Sequence, residues 1–104
     1  MEFIETHVFT ERITKLLDDE NYQQLQAELA SRPKTGDVIP GAGGLRKLRW
    51  GTGSRGKRGG IRIIYYCESE GRIYLLFAYD KVQQGDLTRQ QLKTLSDYVR
   101  SGVL

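Results

Sequence analysis

The apolar residues of this chain change their period midway, and that change restricts the fold more than any other feature. Before Pro33 they recur at helical spacing: Phe9, Ile13, Leu16 and Leu17 form one stripe, and Tyr22, Leu25 and Leu29 form a second. From Leu45 they follow the two-residue period of strands, in LRKLRW, IRIIYYCE and RIYLLFAYDK. Asp18 and Asp19 stand where the two helical stripes lose phase, placed to accept hydrogen bonds from the free amides of a second helix. Pro33 ends that helix, because proline removes a donor and pushes the preceding residue out of helical space. Glu70-Gly71 is a tight-turn signal that joins the last two strands as an antiparallel hairpin. Thr88 with Gln91 three residues later is a capping-box pattern, opening a helix with Leu92, Leu95 and Val99 on one face. Phe3 and Ile4 fit a short first strand. The expected architecture is α+β: an antiparallel sheet with an N-terminal helical hairpin and a C-terminal helix, the helices covering one face of the sheet. With 104 residues, the chain has length for one domain, residues 1–104.

Composition removes several function classes. Hydrophobic residues make up 38% and charged residues 28%, enough to fill a modest core and too apolar for wholesale disorder. No apolar run approaches the roughly 20 residues that span a bilayer, so no membrane association is expected. MEFIETHVFT lacks the basic start and long apolar stretch of a secretion signal, and a cytoplasmic protein is expected. One cysteine, Cys67, and one histidine, His7, cannot form an internal disulfide or a closed zinc site. Cys67 reads as a small core residue within IRIIYYC and His7 as a surface or helix-start residue.

Charge is sorted along the chain rather than scattered. Acidic residues are absent from Val38 to Cys67, while that stretch carries Arg46, Lys47, Arg49, Arg55, Lys57, Arg58 and Arg62. The other nine of the sixteen basic residues face all thirteen acidic ones, so the net charge of +3 conceals a strongly positive middle segment. Such a block attracts polyanions, above all nucleic acid. The plainer alternative is a solvated basic surface with no dedicated partner.

Eight of the twelve glycines lie between Gly41 and Gly60, around and within the loop GTGSRGKRGG. A P-loop is excluded, since the residue after Lys57 is Arg58 rather than Ser or Thr and no strong helix pattern follows. Glycines there would let Arg55, Lys57 and Arg58 approach a phosphate backbone closely; an ordinary charged hairpin loop is the alternative. Strand alternation places Lys47 and Arg49 on one face, opposite Leu48, Trp50 and Arg46. Arg62 falls among strand residues, where an unpaired guanidinium in a core is costly, so it is expected to face a cleft or a partner. Tyr79 and Lys81 share a face at the end of the last strand. Lys47, Arg49, Arg62, Tyr79 and Lys81 are therefore expected to converge on one open sheet face, roofed by Lys57 and Arg58.

A face of that kind suits cleavage of an RNA phosphodiester without metal. Guanidinium groups neutralise the charge that builds on the pentavalent phosphate, and a lysine among like charges takes part in proton transfer. A histidine pair is impossible with His7 alone. Asp37, Asp80 and Asp86 show no ligand spacing, and of these only Asp80 is expected near the site, so neither metal nor cofactor is expected. Tyrosines in strands usually serve packing, and among Tyr65, Tyr66, Tyr74 and Tyr79 only Tyr79 is positioned for base stacking.

The segments GAGGLRKLRW, GKRGGIRIIYYC, IYLLFAYDK and DLTRQQLKTL together resemble the RelE superfamily of toxin proteins, in its HigB-like branch, over nearly the whole chain. The resemblance implies a fold of the microbial-ribonuclease kind and a ribosome-dependent endoribonuclease that cuts messenger RNA during translation. It also implies neutralisation by a cognate antitoxin, for which a small helix-turn-helix protein is expected. By position, the family's basic strand residues fall on Lys47 and Arg49, the following strand's arginine on Arg62, the loop cations on Lys57 and Arg58, and the last basic position on Lys81. The catalytic set is then Lys47, Arg62, Tyr79 and Lys81, with Arg46, Arg49, Arg55, Lys57 and Arg58 as RNA-binding residues. Many relatives place a catalytic tyrosine several residues beyond the last basic position, where this chain has VQQGDLT and no tyrosine. Lys47 and Tyr79 are the remaining candidates for the general base. A non-catalytic RNA- or ribosome-binding module using the same face is the alternative function.

Overall fold

The structure, a computed structural model, describes residues 1–51, 60–68 and 71–102. Its elements run β1 (Glu2–Glu5), α1 (His7–Leu16), α2 (Asp19–Ser31), β2 (Asp37–Val38), β3 (Arg46–Trp50), β4 (Ile61–Glu68), β5 (Arg72–Asp80), α3 (Lys81–Gln84) and α4 (Arg89–Ser101). They build one five-stranded sheet in the order β1-β5-β4-β3-β2, in which β1 runs parallel to β5 and every other pair is antiparallel. The α+β expectation holds. The short first strand expected at Phe3 and Ile4 is present, but it runs parallel to β5, so the sheet is mixed rather than antiparallel; α1 lies along β5, and the expected N-terminal helical hairpin is not shown. Among the described residues, no helix is long and apolar enough to cross a membrane.

Helix boundaries follow the caps read from the sequence. Asp18 accepts a hydrogen bond from the Asn21 amide, and Thr88 and Gln91 form a complete capping box at α4. Thr6 does more than cap α1. Its buried hydroxyl accepts from the Phe9 amide at 3.0 Å and donates to the Leu76 carbonyl at 2.8 Å, tying the start of α1 to the middle of β5.

The sheet is covered on both faces, not one. Phe9, Ile13, Leu17, Leu25 and Leu29 of the first two helices and their junction pack with Ile61, Ile63, Tyr65, Ile73 and Leu75. On the other face Leu92, Leu95 and Val99 of α4 pack with Leu45, Ile64, Tyr74, Leu76 and Tyr79. The physical reason lies in β4 and β5: their apolar residues occupy both strand faces, and each face must lose its water contact.

A β-bulge decides what faces the second layer. Ile64 pairs with Phe77 and Tyr65 with Leu75, leaving Leu76 without a partner on β4. Before the bulge, Ile73 and Leu75 face α1 and α2; after it, Ala78 faces them and Tyr79 faces the α4 side. Unbroken alternation would have put Tyr79 with Ile73 and Leu75. The Thr6 hydroxyl bonded to the Leu76 carbonyl satisfies an acceptor at the bulge itself.

Candidate functional site

The register of the three central strands sets Arg49, Arg62 and Tyr79 side by side in one row, since Arg49 pairs with Arg62 and Arg62 with Tyr79. Lys47 lies two residues from Arg49 on the same side of β3. β5 ends at Asp80, and Lys81 is the first residue of α3 rather than the end of a strand. Lys47, Arg49, Arg62 and Lys81 border a cleft of about 420 Å³ on the α4 side of the sheet, lined on its far side by Thr35, Gly36 and Asp37, with Tyr79 buried beside it.

That far side is held by Tyr65, which reaches from the opposite core. Its hydroxyl donates to the Pro33 carbonyl at 2.8 Å and accepts from the Gly36 amide at 2.9 Å. A side chain at Gly36 would meet the Tyr65 ring at 2.8 Å, so the close approach requires glycine. Burial raises the Tyr65 phenol above its ordinary value. Tyr65 is a fold residue.

Arg62 is 9% exposed, and among the described residues its buried Nη1 has no hydrogen-bond partner. A buried guanidinium N–H without an acceptor is costly, and an anion in the cleft would satisfy it; Trp50 Nε1 is likewise buried and unmatched among the described residues. Lys81 Nζ donates to Asp86 Oδ2 at 2.9 Å, Tyr79 Oη donates to Asp86 Oδ1 at 3.2 Å, and Lys47 Nζ lies 3.8 Å from the same Oδ1. The Lys81 hydrogen bond, aided by Lys47 and Tyr79, holds the Asp86 carboxyl below its ordinary value. Burial pushes the Tyr79 phenol up to about 12, with the Asp86 charge and its hydrogen bond acting in the same direction and Arg62 opposing. At neutral pH Tyr79 is a proton donor, which removes it as a general base in this state.

Of the residues expected to act together, Lys47, Arg62 and Lys81 line the cleft with Arg49, and Tyr79 joins Lys47 and Lys81 through Asp86. The carboxylates are placed otherwise than expected: Asp80 turns away to cap α3, accepting from the Val82 amide at 2.9 Å, while Asp86 pairs with Lys47 and Lys81 and Asp37 lines the cleft. Arg46 stays on the other face of β3, where its Nη1 donates to the carbonyls of Gly36 at 2.7 Å and Lys34 at 3.3 Å, and it does not join the cluster. The Tyr79 ring is 1% exposed, so it offers no open face for base stacking. The face is a cleft rather than an open sheet; Lys57 and Arg58, expected as its roof, and Arg55, expected to bind RNA, lie outside the described residues. Among the described residues, no three His, Cys, Asp or Glu side chains gather as a metal-binding group.

Chemically the cleft offers two ammonium groups, two guanidinium groups and a phenol that keeps its proton. This is a donor-rich site for an oxyanion with several acceptor oxygens. A search against protein-family models found none that matches the chain.

Proposed function

We propose that the protein is the toxin of a type II toxin-antitoxin pair, a RelE-like, HigB-type endoribonuclease that cuts messenger RNA on the ribosome without a metal ion. One observation carries the reading: a buried arginine, Arg62, with an unmatched Nη1 among the described residues, in a cleft shared with Lys47, Arg49 and Lys81. In this mechanism Arg62 neutralises the charge that develops on the scissile phosphate. Tyr79 supplies a hydrogen bond from a phenol that remains protonated, and Lys47 and Lys81 bind phosphate or assist proton transfer. Arg49 at the rim, with Arg55, Lys57 and Arg58 of the basic loop, grips ribosomal and messenger RNA. Work on translating ribosomes places the protein in the cytoplasm. The basic middle segment suits an acidic segment of a cognate antitoxin that carries a helix-turn-helix domain.

A second reading, a non-catalytic RNA- or ribosome-binding module, is favoured by one specific feature: Asp86 already engages Lys47, Lys81 and Tyr79. Mapping messenger 5′ ends after brief expression separates the two. The enzyme leaves discrete cuts within translated codons, whereas the binder leaves stalled, intact messengers.

A further inference from the structure

Asp86 occupies the centre of the cation cluster, yet it is not built in like a structural carboxylate. Its side chain is 49% exposed, and it follows Gly85, whose φ of 74° turns the chain out of α3. Two planar oxygens serve three donors: Oδ2 takes Lys81, and Oδ1 takes Tyr79 and lies within ion-pair range of Lys47. Arg62, next to Tyr79 in the strand register, is left with Nη1 unmatched among the described residues. Where it stands, the planar carboxylate does not reach Arg62 Nη1, which stays unmatched among the described residues. A phosphodiester brings two free oxygens and two bridging ones in a tetrahedral arrangement, enough to reach the donors that Asp86 holds and Arg62 as well.

We propose that the Asp86 carboxylate is an internal substitute for a substrate phosphate: it holds the cleft's cations in the empty protein and must swing out before a phosphodiester is bound. The inference rests on reading the cleft as a phosphodiester site. Departure of Asp86 creates no buried charge, because half of its side chain already meets water. An incoming phosphate that found Asp86 in place would instead meet a like charge. The exchange therefore filters ligands by valency. A lone phosphate replaces one anion by another and gains only Arg62. A polynucleotide also gains Arg49 for a neighbouring phosphate, and the extra contact offsets the lost ones. Free phosphates and mononucleotides are thereby kept from occupying a site made for a chain.

The test is binding of two probes, inorganic phosphate and a non-cleavable 2′-O-methyl trinucleotide, to wild type, Asp86→Asn and Asp37→Asn. Asp37 borders the same cleft without an ion pair to these cations among the described residues, so its variant reports the through-space effect of removing one negative charge. The expected result is that Asp86→Asn binds inorganic phosphate about tenfold more tightly, several times the gain from Asp37→Asn, while the gain for the trinucleotide is smaller. Equal gains for the two variants, or weaker binding by Asp86→Asn, would overturn the proposal. Adding Arg62→Ala to each protein isolates the underlying reading. If phosphate binding is indifferent to Arg62, the cleft is not the phosphate site and the proposal falls with it. If binding needs Arg62 but ignores Asp86, only the internal-substitute role is refuted.

Discussion

Two buried tyrosines on opposite faces of one sheet are bonded in opposite ways. Tyr65, in the layer beneath α1 and α2, spends its hydroxyl on two backbone groups, the Pro33 carbonyl and the Gly36 amide. Tyr79, in the layer beneath α4, donates a hydrogen bond to a half-exposed carboxylate that two lysines also claim. The first arrangement has no alternative partner and fixes a loop. The second is an exchangeable network of charges beside an arginine with a spare donor. One layer fixes its phenol to the backbone, and the other leaves its polar groups in an exchangeable network.

Equilibrium unfolding should expose that contrast. Tyr65→Phe leaves the buried Gly36 amide without its acceptor and is expected to cost about 2–3 kcal/mol. Thr6→Val, which removes the cap of α1 and the bond to the Leu76 carbonyl, should cost about 1–2 kcal/mol. Tyr79→Phe leaves Asp86 with Lys81, so its cost should stay under about 1 kcal/mol. A loss at Tyr79 equal to that at Tyr65 would break the distinction between the two layers. Messenger cleavage should show the reverse ranking, with a loss of about 10²-fold for Tyr79→Phe and none for Thr6→Val beyond its unfolded fraction.

The smallest effect is one of pH. The Asp86 carboxyl lies below its ordinary value of 3.8 in the folded protein, so its ion pairs contribute fully above that value and fade as pH falls through the depressed one. The difference in stability between wild type and Asp86→Asn should therefore be flat from neutral pH to about pH 5 and shrink only below about pH 4. A difference that vanished near neutrality would contradict the arrangement of Lys81, Lys47 and Tyr79 around Asp86.

Much of this was legible in residue order. Alternation alone separated Lys47 and Arg49 from Arg46 and Leu48, and the cost of burying a guanidinium singled out Arg62. The second helical layer was written in IRIIYYC, whose apolar residues fall on both faces as in a central strand, but it is equally consistent with a half-open sheet. Two features were hidden. The bulge at Leu76 depends on a hydrogen bond from Thr6, seventy residues away, and no local pattern reports it. Asp86 enters the site because α3 makes a single turn ending at Gly85, which folds the chain back over Lys81. Asp80, closer in sequence to the cations, is consumed by capping that turn. Local backbone needs at Asp80 and chain reversal at Gly85 exchanged the roles of two similar residues.

The most direct test of the whole account is the behaviour of Arg62→Met, assayed both for unfolding and for cleavage of ribosome-bound messenger in a reconstituted translation reaction. Among the described residues the buried Arg62 Nη1 has no acceptor, which costs stability in the empty protein, so an apolar side chain of similar length should leave the melting temperature unchanged or raise it. The same substitution should reduce cleavage by at least about 10²-fold. A variant that melts lower and still cuts at the wild-type rate would show that Arg62 serves the core rather than the phosphate.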